Sequence, residues 1–500
     1  MAISFNTIPN DLRVPLFYAE MDNSQAGYFT QSQKTLLIGQ KLATGTASVN
    51  TPMLVSRTDE AKQEFGVGSM LASMHEVVRK NDPLGELWCI ALADDDAAVA
   101  ATGKVSITGP ATASGTIYLY VAGQLVKTGV TTGDAATAIA TAMVAAINAN
   151  KNLPVTAAVN GTNAYEVDLT ARWKGETGND ITLMLNYYGS AASEKTPAGV
   201  AMTITAMASG ATNPDIADAI AVMGDEEYDF IIHPYTDTAN LNALRDEMND
   251  TTGRWAYNRQ VYGHVYTAKR DTLANLVTFG SARNDQHNTI AGFEATVPSP
   301  VWEYAAAYGS RNAVFIKADP ARPTQTGALT GILPATQGSL FTLSERQSLL
   351  SNGVASSYTQ GGVVKVERAI TTYQKNQFDE LDTSYLDSET LHTSSTVIRR
   401  LRSAVTSKYP RHKVADDGTR FGAGQAIVTP NIIRGTMIDE YFQMERIGLV
   451  ENADLFAKYL IVERAEDPNR INVLFPADYV NQLRVFALIN QFRLQYPETA

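Results

Sequence analysis

The sequence predicts an α/β core, a mixed and largely parallel sheet with packed helices, that carries a β-rich inserted domain and is followed by an α+β C-terminal domain. Extended N- and C-terminal arms are expected. Three observations carry this prediction. Short apolar runs alternate with helical spacing before residue 97 and again after residue 209, the pattern of βα units and a parallel sheet. Between them, residues 97–209 are dominated by Ala, Thr, Gly and Val, with sparse charge and neither His nor Cys. At each end, an apolar segment lacks the means to form its own core. These shifts divide the chain into an N-terminal arm (1–22), an α/β core (23–96 plus 210–328), an inserted outer domain (97–209), an α+β C-terminal domain (329–468) and a C-terminal strand and arm (469–500).

In chain order, Pro9, Pro15 and the apolar trio Leu16, Phe17 and Tyr18 mark the first arm. Thr35 to Gly39 is a short buried strand ending in a glycine turn. Thr58 is expected to cap a helix whose first turn holds Asp59 and Glu60, acids that suit the positive helix end. Leu71, Met74 and Val78 share one face of a helix over 69–80. Leu87 to Leu92 is the next strand, so the chain opens β-α-β.

Within the insert, strands are expected over 104–108, 116–121, 155–159, 165–171, 181–187 and 200–206. Ile139, Met143, Ala146 and Ile147 place a helix over 134–149. The strand count suggests a β-sandwich-like module. The glycine-rich stretch Lys174 to Asp180 lacks the Gly-Lys-Ser/Thr ending of a phosphate loop, and no helix follows it. A hairpin turn is expected there. After the insert, helices over 215–223, 238–249, 271–281 and 300–308 alternate with strands over 228–233, 260–266 and 289–294. The strands at 35–39 and 87–92 are expected to join the same sheet across the insert.

Beyond residue 330, helices are expected over 344–350, 384–409, 431–447 and 453–462, with strands over 362–372 and 470–475. The tail Leu483 to Leu494 includes Val485, Phe486 and Leu488. Its period fits strand and helix equally, and it reads as an extended arm.

A chain of 500 residues exceeds one core. A formal charge of −12 and a pI near 5.1 disfavour general affinity for nucleic acid, because phosphate binding needs a basic surface. The single cysteine, Cys89, excludes an internal disulfide framework and fits a reducing compartment. In an apolar run it reads as a small buried hydrophobe. No run of about 18 apolar residues is present, and the start lacks the pattern of a signal peptide, so no membrane insertion is expected.

The six histidines show no metal-ligand spacing, and no cofactor or metal is expected. His233 and His264, read as the ends of neighbouring parallel strands, are the best lead for a reactive site. Asp94-Asp95-Asp96 and Asp416-Asp417-Gly418 lack the regular ligand spacing of a calcium loop. No nucleophile elbow, Walker loop or dinucleotide fingerprint occurs. A body without a reactive cluster points to a structural or assembly protein rather than an enzyme. Arg399, Arg400, Arg402, Lys408, Arg411 and Lys413 form a basic cluster with no acid between Arg399 and Lys413. Such cations suit a helix C-terminus, and the alternative is contact with an acidic partner surface.

The order of these signals resembles one family. Thr35-Leu36-Leu37-Ile38-Gly39, Asn50-Thr51-Pro52-Met53-Leu54-Val55, Glu64-Phe65-Gly66-Val67-Gly68-Ser69 and Glu86-Leu87-Trp88-Cys89 are similar to the N-terminal core of contractile-tail sheath proteins. Gly331-Ile332-Leu333-Pro334, Leu350-Ser351-Asn352-Gly353-Val354, Val366 to Tyr373 and Tyr409-Pro410-Arg411-His412-Lys413 resemble the Mu-type phage tail sheath family. The likeness runs over nearly the whole chain.

The resemblance implies a structural subunit of a contractile phage tail sheath, with no catalytic residues. Hexameric rings would stack helically around a tail tube and contract to drive the tube through the host envelope. Partners would be further copies of the chain, the tail tube protein, and baseplate and neck or terminator proteins, with no direct nucleic acid. The location would be the virion, after assembly in the host cytoplasm. The terminal arms would add strands to a neighbouring subunit's sheet, making Leu16, Phe17, Tyr18, Val485, Phe486 and Leu488 candidate subunit contacts. Arg399, Arg400, Arg402 and Arg411 are candidate contacts to the tube or to a neighbour. The insert would decorate the outside. Its Thr and Gly content leaves open a surface adhesin or carbohydrate-binding virion protein, for which rows of aromatics on a strand face are expected. A hydrolase-like enzyme using His233 or His264 is the third reading.

Overall fold

The computed structural model describes residues 13–15, 17–19, 32–422 and 424–495. Leu16 and most of the N-terminal arm lie outside the described residues. Two compact units emerge, one built from residues 33–392 with the tail from Gln482, the other from residues 393–481 with the described residues before 33.

The larger unit opens with β1 (Thr35–Gln40), β2 (Pro52–Leu54), α1 (Thr58–Phe65), α2 (Met70–Asn81) and β3 (Leu87–Leu92). Thr58 is the first helical residue of α1 rather than its cap; Arg57 precedes the helix, and the Glu60 carboxylate reaches back to accept from the backbone N–H of Ser56 at 3.3 Å. Ser69 caps α2, its Oγ accepting from the Ala72 N–H at 3.1 Å.

The insert contains β4 (Thr102–Thr108), β5 (Gly115–Val121), β6 (Gln124–Val130), α3 (Ala136–Ala149), β7 (Val155–Val159), β8 (Glu166–Ala171), β9 (Leu183–Leu185) and β10 (Ala201–Ala208). They form two antiparallel sheets, ordered β10-β4-β8-β7 and β6-β5-β9. Helix α3 packs across strands of both, burying Ile139, Met143 and Ile147 at four-residue spacing. Strand β6 was not expected. It returns from β5 through Ala122 and Gly123, both at positive φ (49° and 77°), the geometry of a tight hairpin in which Asn-Gly is the usual signal. The stretch Lys174 to Asp180 is no hairpin. A 3-10 turn over Glu176–Asp180 carries the chain from β8 in one sheet to β9 in the other.

After the insert come α4 (Ala217–Met223), β11 (Phe230–Ile232), α5 (Thr238–Met248), β12 (His264–Asp271), α6 (Leu273–Ser281), β13 (Asn288–Glu294), α7 (Val301–Ala318), α8 (Leu343–Leu350), β14 (Ser356–Gln360) and β15 (Val363–Arg368). The central sheet has the order β13-β12-β11-β1-β3-β2, with every pair parallel except β2–β3. The strands on either side of the insert thus join one sheet. Leu37 and Cys89 face one core, while Leu36, Ile38 and Ile90 face the other. Burial on both faces explains why these strands read as unbroken apolar runs.

Helix α7 packs on β12, β11 and β1. Gly309 permits the approach, since a Cβ there would come within 2.7 Å of the Ile232 side chain. One sheet edge is the short, proline-bearing β2, a common way to blunt an edge. The other, β13, is capped by Ala355, which exchanges hydrogen bonds with Ile290 and Gly292 at 2.9 Å.

The smaller unit holds most of α9 (Ser388–Lys408), then β16 (Lys413–Val414), β17 (Ile427–Val428), α10 (Pro430–Arg446), α11 (Ala453–Tyr459), β18 (Ile461–Arg464) and β19 (Ile471–Leu474). Its aromatic centre stacks Tyr441 on Phe456 at 3.7 Å, with Phe475 against both rings. The expected helix over 453–462 ends at Tyr459, and Ile461–Arg464 is instead a strand pairing with β19.

Candidate assembly surfaces

Strands β18 and β19 form a two-stranded antiparallel sheet, register Ile461↔Leu474 to Arg464↔Ile471. Arg464 braces its turn, donating to the Pro468 carbonyl and the Asp416 carboxylate, each at 2.8 Å. Among the described residues, neither outer edge of this ladder has a strand partner. Ile461, Val473 and Leu474 remain exposed. Helix α10 packs against β18, while unpaired strand edges template further pairing.

The described residues after Gln482, through 495, form neither helix nor strand. Val485 and Phe486 are each 79% exposed and Leu488 75%, with Ile489, Phe492 and Leu494 similarly bare. At the other end, Phe17 is 90% and Tyr18 44% exposed. Stretches of large apolar side chains left in water mark interaction surfaces.

The basic cluster is split by its surroundings. Arg399 and Arg400 are half-buried on α9, and Arg400 Nε donates to Glu440 Oε1 at 2.9 Å. Arg402, Arg411 and Lys413 are exposed. Arg399, Arg400 and Arg402 lie within α9, which continues to Lys408, and not at its last turn.

The two histidines of the enzyme reading do not share a strand end. Strand β12 starts at His264 rather than at 260, and His264 pairs in register with Phe230, the first residue of β11. His233 follows the last residue of β11. The two stand about 10 Å apart along the strands, both fully buried. His233 Nδ1 accepts from the Tyr235 N–H, and burial pulls its pKa down to about 4. His264 Nε2 meets the Thr289 hydroxyl at 2.8 Å. Cys89 is buried in β3, and burial pushes its thiol up.

The acidic runs are occupied by protein donors. Asp94 accepts from Gln40 and from the Lys174 N–H, and Asp417 from the Asn431 N–H. Among the described residues, no group of three or more His, Cys, Asp or Glu could hold a metal, and no helix is long and apolar enough to cross a membrane. Tyr188 packs edge-on against Tyr120 and Tyr187, which meet each other at a tilt of 59°.

Two features escaped the sequence reading. One is the open β18–β19 ribbon. The other is Arg484, which ties the tail to Asp387 and Glu389. A single cation in an apolar tail, between Asp478 and Arg493, was the available signal.

Residues 209–372 match the phage tail sheath protein central domain, and residues 380–493 match the phage tail sheath C-terminal domain. The chain is 44% identical over 500 residues to the Mu-like prophage FluMu tail sheath protein of Haemophilus influenzae, covering 99% of this chain and 100% of that one. The crystal structure of the sheath tail protein from Desulfitobacterium hafniense superposes with a TM-score of 0.51 at 10% identity, over 94% of this chain and 97% of that one. The sheath tail protein from Listeria innocua gives a TM-score of 0.49 at 11% identity, over 91% and 94%. With a full-length relative at this identity and two matching domains in the expected order, the chain belongs to the phage tail sheath protein family.

Proposed function

We propose that this sheath protein is a non-enzymatic subunit of a contractile tail, forming hexameric rings that stack helically around a tail tube and shorten to drive it through the host envelope. Copies are linked by strand addition. The observation that carries this reading is the pairing of two incomplete features in one chain. Among the described residues, the apolar tail from Val485 has no ladder partner, and the β18–β19 ribbon has two open edges. Main-chain hydrogen bonds between them would satisfy both and would survive rotation of the bodies they connect. The described N-terminal residues Phe17 and Tyr18 suit a second such strand. The proposed partners are the tail tube, baseplate and neck proteins, with assembly in the host cytoplasm.

The test is polymer formation. The full chain should give tubes under negative stain, and a chain truncated after Arg484 should stay small while melting at the same temperature. Tubes of normal length from the truncated chain would exclude strand addition. The basic face is tested separately. Because Arg400 holds Glu440, its reversal would disturb the fold of the smaller unit. Arg402→Glu with Arg411→Glu leaves that pair intact and should block sheath growth on tubes. Normal sheathed tails from that variant would remove the basic face from the assembly surface.

A further inference from the structure

The root of the tail is fixed by buried charge. Arg484 Nη2 donates to Glu389 Oε1 at 3.0 Å and to Asp387 Oδ1 at 3.1 Å, and also contacts Gln482 Oε1. Asp387 is held in a bidentate pair by Arg368, both bonds 2.8 Å. Glu389 accepts from the Thr324 N–H at 3.0 Å and the Thr324 hydroxyl at 2.8 Å. The Glu389 side chain is 0% exposed, and among the described residues Arg484 is a cation within ion-pair distance of it. The cluster therefore balances two guanidinium groups against two carboxylates, and one of the four comes from the tail. Gln482 Nε2 donating to the Ala321 carbonyl, and Gln325 Nε2 donating to the Leu483 carbonyl, add weaker ties at 3.3 and 3.4 Å.

One residue later the environment inverts. The Arg484 side chain is 11% exposed, and Val485 is 79% exposed. No described residue after it lies in a helix or strand. Removing one member of a buried pair leaves its partner charged and uncompensated, which opposes departure of the tail root.

We propose that Arg484 is a positioning residue, a clamp that sets the point from which the C-terminal arm leaves its own body toward a second copy. This rests on the strand-addition reading above. A fixed origin raises the effective concentration of the arm at its target, whereas a longer free tether dilutes it. It also confines bending between bodies to the bond after Arg484, so that the buried ring bears the pull of a neighbouring copy.

The test uses full-length chains carrying Arg484→Gln, Arg484→Lys, and Glu389→Gln with Arg484→Gln. The double variant removes both charges of the buried pair and guards against a single variant that fails to fold. Hydrogen exchange of the buried Thr324 amide, which donates to Glu389, should rise roughly tenfold or more in the Gln variants of the unassembled chain, as local opening of the cluster becomes easier, with Lys intermediate. The concentration needed for tube formation should rise severalfold in parallel, while the melting temperature of the double variant stays at the native value. Unchanged exchange in the double variant would overturn the clamp. Raised exchange with an unchanged tube threshold would overturn its role in assembly. The exchange measurement does not depend on polymerisation, so tubes from a chain truncated after Arg484 would defeat the strand-addition reading without bearing on whether Arg484 holds the root.

Discussion

The insert at 97–209 and the C-terminal stretch from Ile461 to Leu494 both interrupt the α/β rhythm, and their apolar surfaces meet opposite fates. The insert is docked onto the central body. Trp173 meets Trp302 of α7 edge-on at 5.0 Å, both 1% exposed. Arg270 Nη2 donates to the Asp180 carbonyl at 2.7 Å, and the Tyr187 hydroxyl to the Pro334 carbonyl at 2.7 Å. Gly68 lies so close to the Lys151 carbonyl that a Cβ would approach it to 2.4 Å. The C-terminal stretch instead leaves Ile461, Val473, Leu474 and the side chains from Val485 to Leu494 largely in water. The insert needed only its host, because both its ends emerge from one sheet and bring its inner face against α7. The tail is held at Arg484, and its described apolar side chains beyond that point are largely exposed.

The comparison can be broken at several points. The largest effect is expected from truncation after Arg484, which should abolish tubes in negative stain without lowering the melting temperature. The reverse should hold at the docked surface. Trp302→Ala should cost about 3–5 kcal/mol in urea unfolding, and a loss below about 1 kcal/mol would mean that the docking is loose. A smaller effect lies in the crevice between α2, α7 and the insert turn at Gly123, where Glu303 accepts from Ser73. Burial pushes Glu303 up to about 7 from an ordinary 4.5. The folded state therefore holds this proton more tightly than the unfolded state does. Its contribution to stability is present below pH 4.5 and is lost as pH rises through 7. Part of the side chain meets water in the crevice, so Glu303→Gln should flatten the pH dependence of unfolding by on the order of 1 kcal/mol between about pH 5 and pH 8. Parallel curves for the two chains would exclude a titrating Glu303. The smallest change belongs to the tail. Leu488→Ser should move the stability of the unassembled chain by less than about 0.5 kcal/mol, while weakening tube formation. A larger loss of stability would mean that the tail packs on its own body in solution.

Much of the fold was legible because burial on two faces writes continuous apolar runs. Leu36 to Ile38, Leu87 to Leu92 and Phe230 to Ile232 are such runs, and their joining across the insert followed from the βα rhythm. Boundaries were less legible. Strand β12 was placed several residues early, since Val261 and Tyr262 are apolar but precede the ladder, and this error is what put His233 and His264 at one strand end. Strand β6 was hidden by an Ala-Gly turn, and β18 by a helical spacing that ran on past Tyr459. Of the proposed assembly surface, the apolar tail was legible, whereas the β18–β19 ribbon and the Arg484 ion pairs were not.

The residue order by itself determined the α/β rhythm, the alien composition of the insert and the apolar character of the tail, because each is a property of neighbours along the chain. Only the tertiary structure decided that Arg368 and Asp387 meet Glu389 and Arg484, that Trp173 meets Trp302, and that β18 and β19 pair with both edges open. Those contacts join residues far apart in sequence, and local spacing carries no record of which distant side chain completes a buried charge or covers an apolar face.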